Sequence, residues 1–140
     1  MSIFPLRIDE NIAKRIALSP VELSAGVTTG TEFDRLGSGE YQFESVCLVV
    51  QVGVDTGTPD AFTVDCVLQE SSVSGSGYTD VASITQIDGE GEIENVCYNL
   101  NSLKQYIRPE FTVAFTGGSS PTIYTSSAYL FGDSKTEPVS

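Results

Sequence analysis

Residues 41–52 read Tyr-Gln-Phe-Glu-Ser-Val-Cys-Leu-Val-Val-Gln-Val, and the fold turns on this stretch. It begins in alternation and then saturates with Val46, Cys47, Leu48, Val49, Val50 and Val52, the pattern of a central strand covered on both faces. Gly53 to Asp60 follows as turn chemistry, with Asp55, Gly57, Pro59 and Asp60. Phe62, Val64, Cys66 and Leu68 then alternate with Thr63, Asp65 and Gln69, which predicts a half-buried strand.

The same vocabulary continues toward the C-terminus. Ser71 to Gly77 is a Ser/Gly loop, Tyr78 to Ile87 holds one or two short strands, and Asp88 to Gly91 turns. Ile93 to Leu100 is a further strand. Gln105 to Phe115 places Ile107, Phe111, Val113 and Phe115 on one face, and Pro109 argues for an edge position or a bend there. After the turn at 117–121, Thr122 to Phe131 closes the series. Toward the N-terminus, Ile8, Ile12 and Ile16 recur at helical spacing, with Asp9 and Glu10 ahead of Lys14 and Arg15. Lys14 to Leu23 reads equally well as an extended segment interrupted by Pro20, so helix or strand stays open. The expected architecture is all-β: an antiparallel β-sandwich or jelly-roll of seven to eight strands. Residues 1–20 form an N-terminal arm, 21–132 the body and 133–140 a flexible C-terminal tail.

Composition narrows the function. The chain has 140 residues with 7 Lys plus Arg, 19 Asp plus Glu and a net charge of −12. Phosphate backbones and anionic lipid repel such a chain, so neither nucleic acid nor membrane is an expected partner. There is no histidine, which excludes a Ser-His-Asp or Cys-His unit and any histidine-ligated metal within the chain. The charge is uneven: residues 36–103 hold eleven acids and no Lys or Arg, whereas residues 1–35 are close to balance. That midsection is a solvated acidic face, or one that docks on a basic partner. Pro5 and Arg7 interrupt Ile3, Phe4 and Leu6 before an apolar run develops, so no secretory leader is expected. Cys47, Cys66 and Cys97 are odd in number and widely spaced. Cys47 and Cys66 lie within strand-like runs and are expected as small buried hydrophobes in a reduced environment.

Several motifs invite chemistry. Asp55-Thr56-Gly57 resembles the strand-end loop of retroviral-type aspartic proteases, in which two subunits each supply one Asp. Leu130-Phe131-Gly132 loosely matches the apolar element that packs behind that loop. Gly53 interrupts the apolar lead-in and Thr58-Pro59 follows, so a turn is the preferred reading and no catalytic residue is expected. Asp88, Glu90, Glu92 and Glu94 alternate as a solvated stripe rather than at calcium-loop spacing, so no metal or cofactor is expected. The aromatics sit at strand periodicity, and without Trp a carbohydrate-binding platform is a lesser alternative. Arg108, in an otherwise apolar strand, either pairs with an acidic residue or faces a neighbouring subunit.

The order of these pieces resembles a family of small structural proteins encoded among the head genes of tailed bacteriophages and prophages. The resemblance runs from about Asn11 to Phe131. It is carried by Leu18-Ser19-Pro20, by Gly30 to Asp34 ahead of Tyr41 and Ser45, and by the apolar run ending in Val52-Gly53. Leu68-Gln69-Glu70-Ser71, followed by Tyr78-Thr79-Asp80-Val81, is its most diagnostic part. Tyr106-Ile107-Arg108 and Phe111 to Gly118 complete it, although Pro109 stands where the family runs on into Val or Ala. The resemblance implies a capsid decoration protein, made in the host bacterial cytoplasm and bound on the outside of an icosahedral head. Its implied partner is the major capsid protein. Binding at many equivalent three-fold positions suits a homo-trimer. On that reading Arg7, Lys14 and Arg15 of the arm are candidate capsid contacts, and Arg108 is a candidate subunit contact. The alternatives are a tail, neck or head-fibre-base component, a dimeric aspartic protease, or a carbohydrate-binding module.

Overall fold

The alternation of the sequence becomes the two sides of a β-sandwich. A computed structural model of the protein describes residues 12–37 and 43–134. Among the described residues run nine strands: β1 (Ala13–Leu23), β2 (Gly26–Thr29), β3 (Phe33–Asp34), β4 (Phe43–Thr56), β5 (Ala61–Ser71), β6 (Thr79–Ser83), β7 (Ile93–Asn99), β8 (Tyr106–Thr116) and β9 (Thr122–Ser134). One sheet has the order β1-β9-β4-β7, and the other the order β2-β8-β5-β6 with β3 also on β8. All their pairings are antiparallel. The chain changes sheet at β1–β2, β3–β4, β4–β5, β6–β7, β7–β8 and β8–β9, the winding of a jelly-roll. Nine strands exceed the expected seven to eight, and β2 and β3 are too short to leave a readable alternation.

Between the sheets lie Val46, Leu48, Val50 and Val52 of β4, Phe62, Val64, Cys66 and Leu68 of β5, Ile107, Phe111 and Val113 of β8, and Ile123, Tyr129 and Phe131 of β9, all buried. Phe33 of β3 packs its ring, tilted, against Phe131 at 4.5 Å and against Tyr129 at 5.8 Å between centroids, tying one sheet to the other. The Tyr129 hydroxyl, deep in this core, donates to the Thr31 carbonyl at 2.7 Å, so its polar end does not go unsatisfied. Burial holds its pKa well above the usual tyrosine range.

Two expectations change here. Ala13–Leu23 pairs with β9 from Ala13↔Phe131 to Leu23↔Ile123, so residues 13–20 are the edge strand of the body rather than part of a separate arm. Register shifts between Ile16 and Leu18 and between Leu18 and Val21 accommodate Pro20. Arg7 and residues 135–140 of the expected tail lie outside the described residues. Pro109, expected at an edge or bend, sits on the interior strand β8, flanked by β5 on one side and by β2 and β3 on the other. Its carbonyl accepts from the Gly30 N–H at 2.8 Å, so its donor-less nitrogen faces the same side, where β2 has ended and β3 has not begun. No ladder bond is lost. Gly30 is required by this approach, since a Cβ there would lie 2.3 Å from the Ala17 carbonyl oxygen and 2.5 Å from Pro109 Cγ.

Candidate docking face

The sheet β1-β9-β4-β7 buries one side in the core and presents the other outward. Strand register arranges the middle of that outer side in four cross-strand rows. The first is Lys14, Leu130, Cys47 and Cys97; the second is Ile16, Ala128, Val49 and Asn95. The third carries Ser126, Gln51 and Ile93, with Leu18 and Pro20 of the bulged β1 beside them. The fourth holds Glu22 and Tyr124, with Gly53 against the Tyr124 Cβ. Among these positions only Lys14 and Glu22 are charged, and they stand at opposite ends of β1. The chain as a whole carries −12.

Period-two geometry keeps the acid of β7 off this face. On β7, Glu94 lies opposite the inward Val50, whereas Ile93 and Asn95 share the outer side with Gln51 and Val49. Ile16 is 60% exposed and Ile93 58%. A shallow depression of about 240 Å³ opens between Ile16, Leu18, Pro20, Val49, Gln51 and Ala128. A second, of about 210 Å³, adjoins it between Pro20, Gln51, Gly53 and Tyr124. Val49 belongs to the run whose saturation predicted cover on both faces. The described chain covers only the inner one.

The other outer face is built differently. Its register places Arg108, Gln69 and Asp80 in one row and Asp65 and Glu110 in the neighbouring ones. Arg108 Nε donates to Gln69 Oε1 at 3.0 Å, and Gln69 Nε2 donates to Asp80 Oδ1 at 2.9 Å. The guanidinium lies 3.9 Å above the Tyr78 ring. Glu32 accepts from Ser74 Oγ at 2.6 Å, from the Gly75 N–H at 2.8 Å and from the Tyr78 hydroxyl. The Ser74 and Tyr78 hydrogen bonds hold the Glu32 carboxyl below the usual range, and burial first, then Glu32, pushes the Tyr78 hydroxyl up. Arg108 is thus engaged within its own chain. It is on the opposite sheet from Lys14 and Arg15, so the structure does not bring these basic residues together. Arg15, at the edge of β1, turns its guanidinium onto the Lys14 carbonyl at 2.8 Å.

The other motifs resolve into corners. The Asp55 N–H donates to Glu90 Oε2 at 2.9 Å, and Gly57, at φ +79°, packs where a Cβ would meet the Ser119 carbonyl oxygen at 2.5 Å. The β4–β5 and β8–β9 crossings therefore clasp each other. Asp55 pairs with Ile123 at one end of β4, while Leu130 and Gly132 pair with Cys47 and Ser45 toward the other, so the protease-like pieces are separated. Asp88 and Glu90 lie in the turn before β7 and only Glu94 within the strand, which replaces the expected stripe. No cluster of three or more metal-ligating side chains occurs among the described residues.

No protein-family model and no curated protein matches the chain. Solved structures do resemble it. A chain in the structure of infectious bursal disease virus Gx strain aligns with 86% of this chain and 32% of its own length, at 14% identity and a TM-score of 0.49. This protein thus spans about a third of that one. A desmodium yellow mottle tymovirus chain aligns over 100% of this chain and 97% of its own at 8% identity and a TM-score of 0.33. A family 11 carbohydrate-binding module from Clostridium thermocellum aligns over 89% of this chain and 85% of its own at 11% identity and a TM-score of 0.37.

Sequence reasoning missed one covalent feature. Cys47, expected as a small buried hydrophobe in a reduced environment, lies directly opposite Cys97 on β4 and β7, and the two form a disulfide. Cys47 has the outward parity of Val49 rather than the inward parity of Val46 and Leu48, and that parity was the available signal. Cys66 is the buried free thiol expected.

Proposed function

We propose that this chain is a virion structural protein: a decoration protein on the outside of a tailed-phage capsid, bound to the major capsid protein at local three-fold positions. The observation that carries this reading is the outer side of β1-β9-β4-β7, where apolar and neutral polar side chains stand with only one ammonium and one carboxylate in the four rows, in a chain of net charge −12. An uncovered face of that kind on a small rigid body is suited to an interface rather than to turnover. The acidic remainder faces solvent, where like charge keeps those surfaces of separate copies apart. Many such weak contacts, repeated over a shell, would hold capsomer boundaries together. The resemblance to phage head proteins supplies the particle, and Arg7, Lys14 and Arg15 remain its candidate shell contacts.

The test is to mix purified protein with heads lacking it and to follow its loss from the free pool by sedimentation. Saturable binding, with heads that then withstand heating better, is the expected result. Protein that stays free at every head concentration would overturn the reading.

A further inference from the structure

We propose that the outer side of β1-β9-β4-β7 is a self-pairing surface, covered by the same face of a second copy across a two-fold axis that reverses β1. The inference rests on the interface reading of this face and names what covers it in free copies.

Charge selects the partner. Two copies each carrying −12 approach most easily through a face with balanced charge, and the four rows of this one hold a single carboxylate, Glu22, and a single ammonium, Lys14. Their placement is self-complementary. Lys14 stands in the first row and Glu22 in the fourth, on the same strand. A two-fold axis across the strands, between the second and third rows, lays the first row over the partner's fourth, so Lys14 of each copy meets Glu22 of the other. A two-fold axis along the strands would instead set Lys14 over Cys97, with no charge to meet.

Shape agrees with this choice. The second row falls over the partner's third, which brings the protruding Ile16 onto the depressions around Pro20 and Gln51. Four strands about 4.8 Å apart and four rows about 6.8 Å apart give a contact of roughly 500 Å² in projection. That belongs with weak, concentration-dependent association rather than an obligate dimer. In the free pool this pairing would cover the face that docks on the shell, so head binding would displace it.

Sedimentation velocity of the full chain, from low micromolar to several hundred micromolar, tests it with three variants. Wild type is expected to pass from monomer to dimer. Lys14→Glu and Glu22→Lys should each weaken pairing roughly tenfold, and the double swap should restore it to within about twofold. Circular dichroism and melting establish that each variant is folded. Wild-type protein that stays monomeric or forms a trimer overturns the proposal, as does a double swap no better than the single ones. Head binding is measured separately. Protein that binds heads without pairing sinks this inference alone, and protein that pairs without binding heads sinks the decoration reading alone.

Discussion

Cys97 on the edge strand β7 lies directly across from Cys47 on β4 and is bonded to it, closing a loop with a sequence separation of 50 residues. β7 buries little of its own: Ile93, Asn95, Cys97, Tyr98 and Asn99 are all exposed. The disulfide therefore does much of what a core contact does elsewhere. Replacing both cysteines by serine, or reducing the bond, is expected to lower unfolding free energy by about 2–4 kcal/mol. Urea unfolding with and without reductant measures it. In the reduced native protein a thiol reagent should modify Cys97 readily and spare Cys66, whose burial raises its pKa and blocks access. Equal labelling of the two would contradict this arrangement.

Tyr129 closes the core with a hydrogen bond to Thr31, on the segment between β2 and β3. Tyr129→Phe keeps the packing against Phe33 and Phe131 and removes only the hydroxyl. A cost of roughly 0.5–1.5 kcal/mol is expected, against about 3–5 kcal/mol for Phe131→Ala, which empties the aromatic cluster. Chemical denaturation of both variants gives the comparison. A Tyr129→Phe variant as stable as the parent would show that the bond adds nothing net.

One residue before Thr31, Gly30 is held by contacts from both sheets. Its N–H donates to Pro109 and the Thr31 N–H to Ala17, and the space a Cβ needs is filled by backbone and by the proline ring. Gly30→Ala is expected to cost roughly 1–3 kcal/mol through displaced packing. Gly75→Ala is the contrast: a Cβ there meets nothing, so only the positive-φ preference is lost. Thermal melts that rank the two variants the other way would refute this account of the corner.

The fold was legible because β4, β5, β8 and β9 are long enough for period two to show through, and because Gly/Pro/Asp clusters punctuate them. Nothing in a period reveals which strands pair, so the sequence could not distinguish β1 as a sheet edge from a free arm. The same limit hid the disulfide, since only the β4–β7 register brings residues 47 and 97 together. Pro109 was misread for a related reason. Its tolerance depends on a gap between two short strands that carry no pattern of their own. The docking face was half legible. The apolar excess of residues 46–52 signalled two covered faces, but the neutrality of the outer one emerges only when four strands are set side by side.

Glu32 offers a test in pH. Its carboxylate is held by Ser74, Tyr78 and the Gly75 N–H, with the Arg108 charge nearby. These partners lower its pKa in the folded protein relative to the ordinary 4.5. A depressed carboxyl stabilises the fold above its unfolded pKa, and that contribution disappears as pH falls through the folded value. Wild type should therefore exceed Glu32→Gln in stability at neutral pH, and the gap should close on acidification below 4.5. Comparing the two proteins cancels the other carboxylates. Amide exchange at Gly75, whose N–H bonds Glu32 directly, should quicken over the same range in wild type, and should already be fast and pH-insensitive beyond intrinsic exchange in the variant. A stability gap that persists unchanged into strong acid would mean that the loop from Ser74 to Tyr78 is held by packing, with the Glu32 charge incidental.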